Sequence, residues 1–291
     1  MTDCFGYKGK ICVVTSASSG MGEAAAKILV ELGAEVYALN RRTCTIPGVT
    51  SIPADMANKE SIDAAFARLP EKIDYFFGVA GLSGLLTDYM TTFNVNYTAN
   101  MYICERYLKE RMPEGGAIVL VTSTAGVAWK ENLEECEKVL GLHTWEEVQT
   151  RMREIIPEGT PAQMAYMYSK RLANAYGCRL AIELAAKKIR VNLLLPGSTD
   201  TGMKDQFAAM AGGLENMIKY AGCAGRLASS EEMGWPIVFL NSEMASFISG
   251  FEMIVDYCDN AMKKLGMKPE MCAGPAIIDA ETLQKLLTQR K

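Results

Sequence analysis

Along the first 125 residues, short apolar runs alternate with stretches whose apolar positions recur every three or four residues. Residues 10–15 (KICVVT) form a β-branched apolar run of the kind that makes a buried strand. The next segment, Gly20 to Gly33, places Ala24, Ile28, Leu29 and Leu32 on one helical face and ends on glycine, a helix stop. EVYALN reads as a second strand and VTSIPAD as a third, followed by a helix near 58–69 and the strand IDYFFGVAG. A long helix over about 88–112 leads into the strand GAIVLVTST. After residue 160 the alternation resumes with a helix at about 162–188, the strand IRVNLLLPG, helical regions at 203–220 and 229–241, and a last strand, FEMIVDY.

Repeated strand–helix–strand units require parallel pairing and right-handed crossovers. The expected fold class is therefore α/β, a doubly wound parallel sheet of the Rossmann type. No repeat or linker divides the 291 residues, so the expectation is a single domain over 1–291. Two additions stand outside the rhythm: a charged insertion at 127–160, read as two short helices, and an extension at 262–291 with an amphipathic end, ETLQKLL.

Composition narrows the function classes. A net charge of −4, with 22% charged and 49% hydrophobic residues, fits a folded soluble chain and offers no basic face for nucleic acid. No apolar run reaches the roughly 18 residues of a membrane span, and the polar start MTDCFGYKGK points to the cytoplasm. The nine cysteines are scattered without C-x-x-C spacing, which favours reduced thiols serving mostly as small apolar fillers. The lone histidine, His143, supplies neither a histidine-rich metal site nor a convincing catalytic triad, so no metal is expected.

Between the first strand and first helix lies TSASSGMG, Thr15 to Gly22. Here Ser16, Ser18, Gly20, Met21 and Gly22 would let backbone and helix N-terminus approach a pyrophosphate. Ser16 stands where a glycine is usual, which is tolerable if its φ is negative. Twenty residues beyond Gly20, at the end of the second strand, comes Asn40 followed by Arg41 and Arg42. An acidic residue at that place binds ribose hydroxyls in NAD sites, and arginine accommodates a 2′-phosphate. NADP(H) is therefore favoured and NAD(H) remains possible; the bland alternative is two solvated arginines.

Tyr166 and Lys170 stand i,i+4 in AYMYSKRL, on one helix face, where an ammonium would lower a phenol's pKa toward a useful range. Tyr168 points elsewhere. Together with TSASSGMG, Asn96 in FNVNYT, Ser123 in IVLVTSTAG and PGSTDT at Pro196 to Thr201, this order of motifs resembles the short-chain dehydrogenase/reductase family over about residues 8–257. The resemblance implies Tyr166 as general acid/base, Lys170 as its pKa modulator and a ribose ligand, Ser123 as the donor orienting the substrate oxygen, and Asn96 as holder of a relay water. It further implies cofactor contacts from Asp55 and Met56 at the adenine, from Ala80 and Gly81, and from Pro196, Gly197, Thr199 and Thr201 near the nicotinamide. Taken singly, Ser123 as a strand end, Asn96 as a backbone partner and Thr201 as a helix cap are ordinary. Two departures stand out: Gly78-Val79 replaces a pair of asparagines, and Tyr257-Cys258 replaces a glycine pair after Asp256.

Ser123 and Tyr166 lie 43 positions apart, a spacing that resembles the branch of bacterial 3α-hydroxysteroid dehydrogenase/carbonyl reductase. The substrate class implied is a small molecule, a steroid or bile acid, with aryl, terpenoid or xenobiotic carbonyls as the alternative. A methionine-rich stripe (Met203, Phe207, Met210, Leu214, Met217, Tyr220) suits closure over a bulky apolar ligand, or simple packing on the sheet. From another class comes a non-catalytic NADP(H)-sensing protein on the same fold. The family also implies a homodimer or homotetramer through the helices at 88–112 and 162–188, one face of which the insertion stands to block.

Overall fold

The computed structural model describes residues 4–219 and 221–268. Seven parallel strands form one sheet in the order β3-β2-β1-β4-β5-β6-β7. They are β1 (Ile11–Thr15), β2 (Glu35–Asn40), β3 (Val49–Pro53), β4 (Tyr75–Gly78), β5 (Ala117–Val121), β6 (Arg190–Pro196) and β7 (Glu252–Val255). This is the doubly wound Rossmann architecture expected from the alternation of periods. The order reverses between β1 and β4, so their C-terminal ends part and open the crevice where such sheets bind ligands.

The central strands read as apolar runs because both faces are covered. Phe76, Ile118 and Leu120 point into a cluster with Phe66, Phe93, Tyr97 and Leu180. Their neighbours Tyr75, Phe77 and Val119 join Ala25, Leu29, Ile237 and Leu240 on the opposite face. The helices supplying those faces begin with α1 (Gly20–Glu31) and α2 (Lys59–Phe66). The helix expected at 88–112 is α3 (Tyr89–Phe93), α4 (Ala99–Ile103) and α5 (Lys109–Arg111), joined through two wide π turns, Asn94–Thr98 and Cys104–Leu108. Such turns cluster at functional sites, and the first contains Asn96.

The insertion forms α6 (Leu133–Leu140) and α7 (Trp145–Ile155), the latter started by a capping box between Thr144 and Glu147. Both pack inward: Cys136, Val139, Trp145, Val148 and Met152 are buried in the main cluster. The Arg179 guanidinium donates to the carbonyl of Leu140, and Trp145 meets Tyr102 edge-on. A face of the α3–α5 rod and a face of α8 (Ala162–Leu184) are thus occupied by this chain itself.

The helical region read at 203–220 is two helices, α9 (Lys204–Met210) and α10 (Leu214–Lys219). Gly212 and Gly213 take φ of +77° and +123° between them and end the first. Next come α11 (Ser230–Asn241) and α12 (Asp259–Lys264). Among the described residues no helix is long and apolar enough to cross a membrane. The amphipathic segment ETLQKLL, Cys272 and Tyr220 lie outside the described residues.

Candidate active site

A cleft of about 1850 Å³ runs along the C-terminal ends of the strands. At its centre the first turn of α1 presents backbone N–H groups: the preceding residue, Ser19, makes no side-chain cap. Ser16, Ser18, Gly20, Met21 and Gly22 line this part of the cleft. A Cβ at Gly22 would stand 2.4 Å from the carbonyl oxygen of Ser16, so only glycine lets loop and helix close this tightly. Ser16 does not have the negative φ that its tolerance assumed. Its φ is +61°, the left-handed region, held there as its N–H donates to Leu39 O at 2.9 Å.

At one end, β2 delivers Asn40. The residue is 4% exposed and neither amide atom has a partner among the described residues, an arrangement that costs free energy until a ligand or solvent group fills it. Arg41 and Arg42 are exposed on the cleft wall, unpaired among the described residues. Asp55 and Met56 line the same cleft, with one Asp55 oxygen accepting the N–H of Ala57 at 2.9 Å. The uncapped helix N-terminus, the glycine cradle and the orphaned Asn40 amide fit a phosphate-bearing dinucleotide.

Beyond α1, the loop after β4 brings Ala80 and Gly81 to the wall. The asparagine pair is missing here because its space is taken: a Cβ at Gly78 would meet Asn100 Oδ1 at 2.5 Å. The holding role passes to Thr15, a residue the motif reading overlooked. Its buried hydroxyl accepts the N–H groups of Val79 at 2.9 Å and Ala80 at 3.0 Å. The only sequence signal was a hydroxyl residue ending β1.

The helix α8 places Tyr166 and Lys170 on the cleft, while the Tyr168 hydroxyl turns away to Glu135 O. The Lys170 ammonium lies 5.7 Å from the Tyr166 ring centroid and donates to Val121 O at 3.2 Å. Burial pushes its pKa down to about 8. The Tyr166 phenol is moved up by burial, opposed by its hydrogen bond with Ser123, and not down as the Tyr–Lys spacing suggested. The ammonium answers to a carbonyl, and desolvation outweighs the favourable contact. Ser123 Oγ also accepts the N–H of Ala125 at 3.1 Å, ending β5 in a turn.

Asn96 stands behind the cleft wall. Its Oδ1 accepts the Leu82 N–H at 2.8 Å, and its Nδ2 donates to Leu82 O at 3.0 Å and Ser169 Oγ at 3.2 Å. That amide pins the loop carrying Ala80 and Gly81 to α8, with both Nδ2 hydrogens engaged and one lone pair of Oδ1 still open. Pro196, Gly197, Thr199 and Thr201 line the far wall; Thr199 Oγ1 donates to Gly197 O, and Thr201 Oγ1 accepts from Met203 N. At Gly197 a Cβ would crowd Asp256 Cβ at 2.8 Å.

The remaining end is apolar. Met164, Met167, Met203, Phe207, Met210 and Met217 all line the same cleft as Tyr166, Met164 half exposed and Met217 buried. Phe207 meets the Tyr166 ring edge-on with centroids 5.3 Å apart, and Ser83 Oγ donates to Gln206 across the cleft. Leu214, by contrast, is exposed.

A family model described as short chain dehydrogenase matches residues 10–133, and one described as enoyl-(acyl carrier protein) reductase matches residues 156–257. Coniferyl-alcohol dehydrogenase of Pseudomonas sp. strain HR199 is 30% identical over 250 residues, covering 85% of this chain and 95% of that protein. The 3β-hydroxysteroid dehydrogenase of Mediterraneibacter gnavus is 26% identical, covering 70% and 71% of the two chains. In fold, the chain resembles the 3α-hydroxysteroid dehydrogenase from Pseudomonas sp. B-0831, solved with NADH, at a TM-score of 0.72 and 22% identity, covering 88% of this chain and 99% of that one. The chain belongs to the short-chain dehydrogenase/reductase family and is an oxidoreductase of the dehydrogenase/reductase type.

Proposed function

We propose that the chain interconverts a secondary alcohol and a ketone on a bulky apolar molecule, a hydroxysteroid or bile acid, with NADP(H) preferred over NAD(H). The observation that carries this reading is the apolar lining that Met164, Met167, Met203, Phe207 and Met210 give the cleft holding Tyr166, with Phe207 against the Tyr166 ring. Flexible thioethers fit a large irregular hydrocarbon better than a small polar substrate.

The nicotinamide, when bound, supplies or accepts the hydride. Tyr166 gives its phenolic proton to the ketone oxygen or takes it from the carbinol, and Ser123 orients that oxygen by hydrogen bonding. Lys170 positions the ribose beside the phenol, and Asn96 acts as a positioning residue through Leu82 and Ser169. Ser16, Ser18, Gly20, Met21 and Gly22 hold the pyrophosphate at the α1 N-terminus. Asn40, Arg41 and Arg42 take the phosphorylated ribose, Asp55 and Met56 flank the adenine, and Ala80, Gly81, Pro196, Gly197, Thr199 and Thr201 frame the nicotinamide.

The 3β-hydroxysteroid dehydrogenase relative supports a steroid substrate, and the coniferyl-alcohol dehydrogenase relative supports the second reading, an aryl alcohol or ketone. Following NADPH oxidation with 3-ketosteroids, keto-bile acids and aryl ketones separates them. Ketosteroid or keto-bile acid turnover well above the aryl ketones supports the proposal; aryl preference replaces it with the second reading. Tight NADPH binding with no turnover of any carbonyl assigns the chain to cofactor sensing instead. We further propose a single-domain, cytoplasmic homodimer or homotetramer, which light scattering distinguishes.

A further inference from the structure

Four of the eight described cysteines (Cys12, Cys44, Cys104 and Cys136) are buried fillers, but Cys223 and Cys258 are exposed and close together. The Cys223 N–H donates to Tyr257 O at 3.0 Å. A carbonyl oxygen lies within about 3 Å of the next Cα, so the Cα atoms of Cys223 and Cys258 are no more than about 7.5 Å apart, a limit that lies just beyond the usual disulfide range and brings the pair within reach of one. The Cys223 thiol lies against the helix that Cys258 begins. Cys223 Sγ touches Met262 Sδ at 3.2 Å, and Met262 sits one turn after Cys258, its N–H bonded to Cys258 O at 2.9 Å.

The backbone around Cys258 is held in a fixed, strained turn. Tyr257 and Cys258 take φ of +46° and +74°, a left-handed pair that glycine would occupy without penalty. Strain of this kind persists where the surrounding structure uses it. Gly222 locks the arrangement: a Cβ there would stand 2.6 Å from Asp256 O and 2.7 Å from Tyr257 O.

We propose that Cys223 and Cys258 are a redox modification site whose disulfide ties the segment after α10 to the start of α12. Neither cysteine lines the cleft, but both segments do: Met217 and Ala221 on one side, Asn260, Lys263 and Lys264 on the other. Cross-linking joins the two walls and restricts substrate entry, leaving the dinucleotide end untouched. The oxidant is a low-molecular-weight disulfide such as glutathione disulfide. Each cysteine gives up its thiol hydrogen, an Sγ–Sγ bond forms, the oxidant's S–S bond breaks, and the two electrons and two protons leave as two reduced thiols.

The test exposes the full-length protein to excess glutathione disulfide, blocks residual thiols, and reads intact mass and the peptide map. The expected product is lighter by two hydrogens, joins the peptides of residues 223 and 258, shows a several-fold higher KM for the ketone with unchanged NADPH Kd, and reverts with dithiothreitol. Cys223→Ser keeps the reduced enzyme's turnover and loses both the link and the KM response. Cys258→Gly does the same and removes the left-handed penalty, which guards against a misfolded variant. Glutathione adducts without a link, a link through Cys4 or Cys272, or a 223–258 link that leaves KM unchanged overturns the proposal. The mass readout needs no turnover, so it stands or falls apart from the substrate proposed above.

Discussion

The two ends of the cleft are built differently. The dinucleotide end rests on strand termini whose positions are fixed by ladder hydrogen bonds, and its parts interlock through short polar contacts such as Thr15 to Ala80 and Lys170 to Val121. The apolar end draws Met203, Phe207, Met210 and Met217 from the α9–α10 segment and Met164 and Met167 from α8, and the hydrogen bond of Ser83 to Gln206 and the ring contact of Phe207 with Tyr166 tie the α9 side on. Strand ends can hold reacting groups to a fraction of an ångström, which hydride and proton transfer require. The methionines of the α9–α10 segment, which lie outside the strands, can instead be exchanged with less effect on that chemistry. Under the proposed function, reaction type and substrate choice reside in separable parts of this cleft.

The largest effect expected from breaking the first part is at Tyr166. Tyr166→Phe keeps the ring against Phe207 but removes the transferable proton, so turnover falls by about 10³-fold, the scale of general acid–base catalysis. NADPH titration by fluorescence should show nearly unchanged binding. Activity within a few-fold of the parent sinks the assignment of proton transfer to this phenol.

Next in size is cofactor choice. Arg41→Ala combined with Arg42→Ala removes two guanidiniums available to a 2′-phosphate, each charge-assisted bond contributing about 1.5 kcal/mol, so the NADPH/NADH preference should fall by about 100-fold. KM values for both cofactors check this. An equal loss for NADH would mean that the arginines act on the shared part of the dinucleotide or merely on solubility.

How far the sequence could be read follows the same division. The strands, α1 and the Tyr166-x-x-x-Lys170 face were legible because period 2 and period 3.6 patterns, glycine stops and i,i+4 spacing are local. The Gly212-Gly213 break between α9 and α10 escaped the reading because the apolar stripe continues across it. Thr15 in place of the asparagine pair was invisible, since the hydroxyl and the N–H groups it receives are more than 60 positions apart. So was the engagement of Asn96 with Leu82 and Ser169, which depends on how a π turn aims the side chain. The insertion's helices were expected, but their buried packing against Tyr102 and α8 depends on tertiary contacts.

A third and smaller effect tests whether Lys170 is held at a cost. Its folded pKa, about 8, lies below its ordinary value of 10.5, so the folded chain binds the proton more weakly than the unfolded chain. Stability is therefore reduced below about pH 8 and recovers as pH rises toward 10.5, a span worth about 3 kcal/mol. Lys170→Met removes that penalty but leaves Val121 O without its donor, a loss of about 1 kcal/mol. Without cofactor, the variant should be about 2 kcal/mol more stable at pH 7, with the advantage vanishing at about pH 10 and reversed at pH 10.5 and above. Urea midpoints at the two pH values measure it; equal differences at both would show that the ammonium is not destabilised by burial.

The smallest effect probes where fixed geometry and ligand contact meet, at Ser16. A serine at φ +61° carries a left-handed penalty of about 1 kcal/mol that glycine does not. Ser16→Gly removes it, and the N–H that donates to Leu39 O is retained. Glycine also raises the entropy of the unfolded chain, which returns about half of the gain. The net expectation is a cofactor-free protein stabilised by about 0.5 kcal/mol, within reach of paired thermal melts. Cofactor affinity should move the opposite way, because the hydroxyl that faces the cleft is lost from the proposed pyrophosphate site. Opposite signs would show that the left-handed serine is retained for the ligand at the expense of the fold. A variant that melts lower than the parent would instead mean that the side chain supports the loop, and the strain at this position would have to be explained by packing alone.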